Sequence, residues 1–187
     1  LANRPPSPRG NSLSAADQLL SAIAAIRPAG LLSLPILRDF ISHPDSLVRE
    51  TALDAFVATG GEEAVAIAAP LLKQEPDVNV IHGVMRRLKD IPGAPTSELV
   101  ASFLNHPDED LLISAIQTSL SLSGNNDDQF SHSRPGRQKA NAKSPADEPI
   151  IAALADKRWR VRAAALEYVA KRRLFAAKPT VIGLLDD

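Results

Sequence analysis

His43-Pro44-Asp45-Ser46-Leu47-Val48-Arg49-Glu50-Thr51-Ala52-Leu53-Asp54-Ala55-Phe56 is the stretch that decides the fold of this chain. Its proline stops whatever helix precedes it, because the ring restricts the residue before it and leaves no N–H to donate. The aspartate that follows is placed to accept a bond from a free amide in the first turn of the next helix. From Val48 onward apolar residues stand at offsets 0, 4, 5 and 8, one arc of a 3.6-residue helix, while Asp54 at offset 6 falls opposite. The stretch reads as a stop, a cap and an amphipathic helix.

The same reading recurs along the chain. Glu75-Pro76-Asp77 and His106-Pro107-Asp108 repeat the motif at intervals of 32 and 31 residues. The column that starts at Val48 continues as Val80, Leu111 and Val161. Offset 4 holds Ala52, Val84, Ala115 and Ala165, offset 5 holds Leu53, Met85, Ile116 and Leu166, and offset 8 holds Phe56, Leu88, Ser119 and Val169. Offset 6 is polar in every copy: Asp54, Arg86, Gln117 and Glu167. Each such helix follows another apolar segment, at 34–41, 65–72, 99–104 and 150–154, with a last one at 181–185. The unit is a helical hairpin that buries its apolar faces only by stacking on neighbours, each buried Leu, Val or Phe contributing roughly 1.5 to 3 kcal/mol. The expected fold is therefore all-α, an α-solenoid of antiparallel helix pairs.

The turn Asp and the Val48-Arg49 and Val161-Arg162 pairs, with the stretch from Asp156 to Leu166, resemble HEAT repeats, in particular the short phycobilisome-lyase-type variety. The resemblance covers about residues 31–187 apart from one insertion. It implies a curved array whose second helices line the inner surface. Ile81 and Leu112 replace the arginine in copies two and three, which leaves the Asp-to-Arg ladder of that family incomplete.

Composition agrees with helices packed closely: 44% of residues are apolar and 4% aromatic. With no cysteine there is no disulfide, thiolate nucleophile or cysteine-ligated metal. No apolar run is expected to reach the roughly 20 residues that span a bilayer, and the first residues lack a signal-peptide core. The compartment stays open, with the cytoplasm slightly favoured over the periplasm. Charge is uneven. Residues 1–133 carry 9 Lys+Arg against 16 Asp+Glu, and residues 134–178 carry 12 against 4.

Four segments follow. Residues 1–13 form a flexible N-terminal stretch, and 14–123 hold a cap helix, starting at about 14–26, plus three hairpins. Residues 124–146 lengthen the third interval to 50, lack large apolar side chains and are expected to be disordered. Residues 147–187 hold a fourth hairpin and the first helix of a further, truncated repeat, so the natural protein is expected to continue with more repeats.

No catalytic motif is present. The histidines are followed by Pro44, Gly83, Pro107 and Ser133, so the His-Glu pairs of the di-iron deoxyhypusine hydroxylases are missing. His43 and His106 read as turn residues, not as metal ligands, and no cofactor is implied. The expected function is non-catalytic: a protein-interaction scaffold whose protein or peptide partner touches Glu50, Asp54, His82, Arg86, Gln117 and Glu167. One alternative is nucleic-acid binding, as in the HEAT-like alkylpurine DNA glycosylases, through Arg158, Trp159, Arg160, Arg162, Lys171, Arg172 and Arg173, with Trp159 expected to pack on the preceding hairpin. Another is chromophore attachment like that of the phycobilin lyases, for which no decisive residue stands out.

Overall fold

The computed structural model describes residues 14–128 and 144–183. The expected flexibility of 1–13, and the disorder expected of 124–146 over its stretch 129–143, lie outside the described residues. Within them the chain is all-helical, with no strand. The elements are α1 (Ala15–Ile26), a 3₁₀ segment (Arg27–Ser33), α2 (Leu34–Phe40), α3 (Ser46–Leu72), α4 (Val78–Leu88), α5 (Ala94–Ser102), α6 (Glu109–Asp128), α7 (Asp147–Ala153), α8 (Trp159–Arg172), a 3₁₀ turn (Phe175–Ala177) and α9 (Lys178–Gly183).

The caps are the ones the sequence encodes. Ser14 and Asp17 form a reciprocal capping box, each accepting the other's backbone N–H at 3.1 Å. Asp45 Oδ1 accepts from Leu47 N and Val48 N, Asp77 Oδ1 from Asn79 N, and Asp108 Oδ1 from Leu111 N. Packing then follows chain order: α2 lies on α3, α3 on α4 and α5, α4 and α5 on α6, and α6 and α7 on α8. The column Val48, Val80, Leu111 and Val161 is buried throughout, as is the column Ala52, Val84, Ala115 and Ala165.

Helix α3 is two helices joined at Gly61, where φ 60 and ψ −143 break the spiral. Gly30 bends the chain ahead of α2 in the same way, with φ 59 and ψ −134. A β-carbon in this left-handed region is strained, so the reversal between hairpins is assigned to glycine. Gly93, which caps the start of α5, continues the series, and Gly124 completes it at intervals of 31, 32 and 31 residues. At Gly124 the chain does not reverse; α6 runs on to Asp128.

Two expectations change here. The insertion does not begin at 124, because helix α6 includes its first five residues, and it does not reach 146. Ser144 starts an ordered turn, its N–H donating to Asp147 Oδ2 at 2.8 Å while its carbonyl accepts from Asp147 N. Helical stretches long and apolar enough to cross a membrane by length and composition do occur, at Ala15–Phe40 and Ser46–Leu72, since an average over a window tolerates the few charges present. Gly30 and Gly61 interrupt them, and the second supplies ten buried side chains to the core.

Candidate functional site

Each turn between paired helices is organised by the residue that precedes Pro44, Pro76, Pro107 or Lys157. His43 Nδ1 accepts from Asp45 N at 3.1 Å, Glu75 Oε1 from Asp77 N at 3.1 Å, His106 Nδ1 from Asp108 N at 3.1 Å, and Asp156 Oδ1 from Arg158 N at 2.8 Å. An acceptor two residues ahead of a free amide closes a tight turn. This is why histidine, glutamate and aspartate share one column. Asp156 thus matches His43 and not Asp45, and Arg158 stands where the other copies have the capping Asp.

Rungs cross from turn to turn. Arg49 donates through NH1 to the carbonyls of His43 (2.8 Å) and Pro44 (2.9 Å), and through Nε and NH2 to both oxygens of Glu75 (2.9 and 2.6 Å). The Glu75 carboxylate raises the guanidinium further above its usual value. Leu112 leaves no such arginine between the third and fourth turns. There Arg158 reaches back instead, donating to the Pro107 carbonyl at 2.9 Å while its Nε and NH2 grip Asp156 at 2.9 and 2.7 Å. The grip holds the Asp156 carboxyl down at about 2. Between the second and third turns, where Ile81 is buried, His82 spans the step, with Ser114 Oγ at 3.3 Å from Nδ1 and Asp108 at 3.9 Å from Nε2.

The second helices carry the predicted ridge. Between the first arm of α3 and α4 lies a cleft of about 440 Å³ lined by Leu47, Glu50, Thr51, Asp54, Gly83, Arg86, Arg87, Lys89 and Asp90. Three of the six candidate contact residues, Glu50, Asp54 and Arg86, meet there. Glu50 lies across Gly83, so close that a β-carbon at Gly83 would run into its carboxylate. Arg86 is 79% exposed and rests 3.6 Å from Glu50. Asp54 is held by Arg87 at 2.9 Å and by Arg27 at 3.8 Å, and it raises the Arg87 guanidinium above its usual value. Arg87 is a wall residue that the column at offset 6 passes by. His82 stands at the next step; Gln117 and Glu167 are exposed on α6 and α8, and Glu167 pairs with Lys171 at 2.6 Å.

The C-terminal basic cluster is largely engaged within the protein. Arg160 meets Asp110 at 2.9 Å and Glu109 at 3.4 Å, and Arg162 NH1 bonds the carbonyls of Asp156 and Lys157. Arg172 is not on an open patch. It lies against Asp147 of α7 at 3.7 Å, with its side chain 10% exposed. Tyr168 completes that knot by donating its hydroxyl to Asp147 Oδ1 at 2.8 Å, and burial pushes its phenol upward. Trp159, expected to pack inward, is 69% exposed, and Leu166 is 36% exposed although its counterparts Leu53, Met85 and Ile116 are buried. Comparison with protein-family models, with curated proteins and with solved structures gives no match.

Proposed function

We propose that this chain is a HEAT-like α-solenoid that works as a non-catalytic scaffold, binding a protein or peptide segment along its second helices. The carrying observation is the polar cleft of about 440 Å³ between α3 and α4, into which Glu50, Asp54 and Arg86 all project. Interfaces favour arginine at contact points, and a groove between two helices suits an extended or helical segment. Asp54 and Arg87 brace the wall; Arg86, exposed at the mouth, is the contact residue.

The test is a photo-crosslinking amino acid placed at position 86, 117 or, on the far face of α3, 66, in extracts containing candidate partners. Adducts at 86 and 117 are expected, with the adduct at 117 lost on Arg86→Glu while the melting temperature holds. Equal adducts at all three positions, or none affected by Arg86→Glu, would send the ridge back to a solvated surface.

The nucleic-acid reading has less support, since Arg158, Arg160, Lys171 and Arg172 already serve acceptors of this chain, and phosphate binding would compete with them. Gel shifts on generic DNA and RNA at two salt concentrations separate the readings: a shift at low salt that Arg160→Glu abolishes would revive it.

A further inference from the structure

Glu50 and Asp54 stand one turn apart on α3 and both line the cleft of about 440 Å³ against α4. Their partners differ. Asp54 is gripped by one edge of a guanidinium, Arg87 donating through Nε at 2.9 Å and NH2 at 3.4 Å. Glu50 faces Arg86, whose NH2 stands 3.6 Å away, beyond hydrogen-bond distance, and whose side chain is 79% exposed. Among the described residues no hydrogen bond reaches either Glu50 oxygen. The carboxylate is nonetheless held in place, because it lies across Gly83 in the space that a β-carbon there would fill.

We infer that Glu50 is a binding site for an arginine side chain carried by the segment that docks in this cleft, and that Arg86 is the cation that gives way to it. The inference rests on the scaffold reading above and names the chemistry of its partner. Arginine is specified by the carboxylate itself: two oxygens without a hydrogen bond match the planar fork of a guanidinium, as Asp54 one turn on matches Arg87. Leu47, 53% exposed, lines the same cleft and offers apolar surface to the methylene stem. Exchange replaces a weak exposed pair by a hydrogen-bonded one. Arg86, once released, bonds an acceptor of the segment. Loss of Arg86 therefore weakens the binding of a whole segment and strengthens that of a lone arginine.

The backbone amide signals of the whole chain, followed by nitrogen-15 NMR, test this with N-acetylarginine amide as probe, against N-acetyllysine amide and sodium chloride at equal ionic strength. The Gly83 amide, beneath Glu50, is expected to shift saturably with the arginine probe while the amides of α8 stay still. In Arg86→Ala the half-saturation is expected to fall about threefold, since an exposed pair holds its partners weakly. Glu50→Gln is expected to remove the saturable shift with the melting temperature unchanged. An equal response to the lysine probe, a half-saturation unchanged or raised in Arg86→Ala, or a Gly83 shift that survives Glu50→Gln overturns the inference. The scaffold reading fails separately. A Gly83 response upholds the arginine site even where positions 86 and 117 give no adduct, which then counts against the scaffold alone; adducts with a silent Gly83 keep the scaffold and overturn the arginine site.

Discussion

Arg158 and Arg49 put a guanidinium in the same place from opposite directions: each lies between a proline carbonyl of one turn and a carboxylate of the next, Pro107 with Asp156 and Pro44 with Glu75. Arg49 reaches forward from its helix and Arg158 reaches back from its turn. The charge arrangement survives although the residue that supplies it changes.

The Arg49 rung is the better shielded of the two, with side-chain exposures of 14% and 7% for its partners. Arg49→Ala leaves Glu75 buried without its cation and is expected to cost about 3 kcal/mol. Arg49→Lys keeps the charge but loses the fork and should cost about half as much. Urea unfolding of the three proteins checks both. Equal loss for the two variants would mean that charge alone matters.

The Arg158 rung is expected to show itself through pH. The Asp156 carboxyl titrates at about 2 in the folded chain, below its ordinary 3.8, so the carboxylate form binds tighter when folded. Its contribution is fully present above about pH 4 and disappears as pH falls toward 2. Denaturation midpoints measured from pH 6 to pH 2 should therefore fall less steeply for Asp156→Asn than for the parent. Parallel curves would count against the pairing.

Gly83 makes room for Glu50. Gly83→Ala is expected to push the Glu50 side chain out of the cleft and to destabilise by about 1 to 2 kcal/mol, as added volume does in a packed site. Glu50→Ala in the same chain should recover most of that loss, which makes the pair non-additive. Additive losses in a double-mutant cycle would show that the crowding lies elsewhere.

Helix α8 ends in a Schellman motif, with Leu174 N bonded to Val169 O at 3.0 Å and Arg173 in the left-handed region at φ 53. Because a side chain is strained there, Arg173→Gly is expected to stabilise by up to about 1 kcal/mol in thermal melting. A lower melting temperature would mean that the Arg173 side chain itself holds the fourth hairpin.

Periodicity made the helices legible, since the columns at offsets 0 and 4 are buried in all four copies and the three Pro-Asp turns cap as written. The ladder was not legible, because Lys157 stands where proline is found in the other turns, and nothing in the spacing says that Asp156 takes the place of His43, Glu75 and His106. The glycines 30, 61 and 93 were a signal within reach: their spacing marks the junctions between hairpins. The knot of Tyr168, Asp147 and Arg172 offers no such signal, because it joins residues 21 and 25 apart whose partnership depends on how α7 lies on α8. Of the candidate site, the column at offset 6 found Asp54 and Arg86 but not Arg87, one step round the helix, which pairs with Asp54 because it faces the neighbouring hairpin while Arg86 faces water.

Nature has equipped this chain with a single tryptophan and a single tyrosine, and both lie on α8, one open to solvent and the other sealed in the knot with Asp147. Intrinsic fluorescence is consequently a local optical reporter for the last hairpin, whereas far-ultraviolet dichroism samples the backbone of every helix. Melts recorded by the two methods side by side distinguish a chain that comes apart all at once from one that frays from that end, without any introduced label.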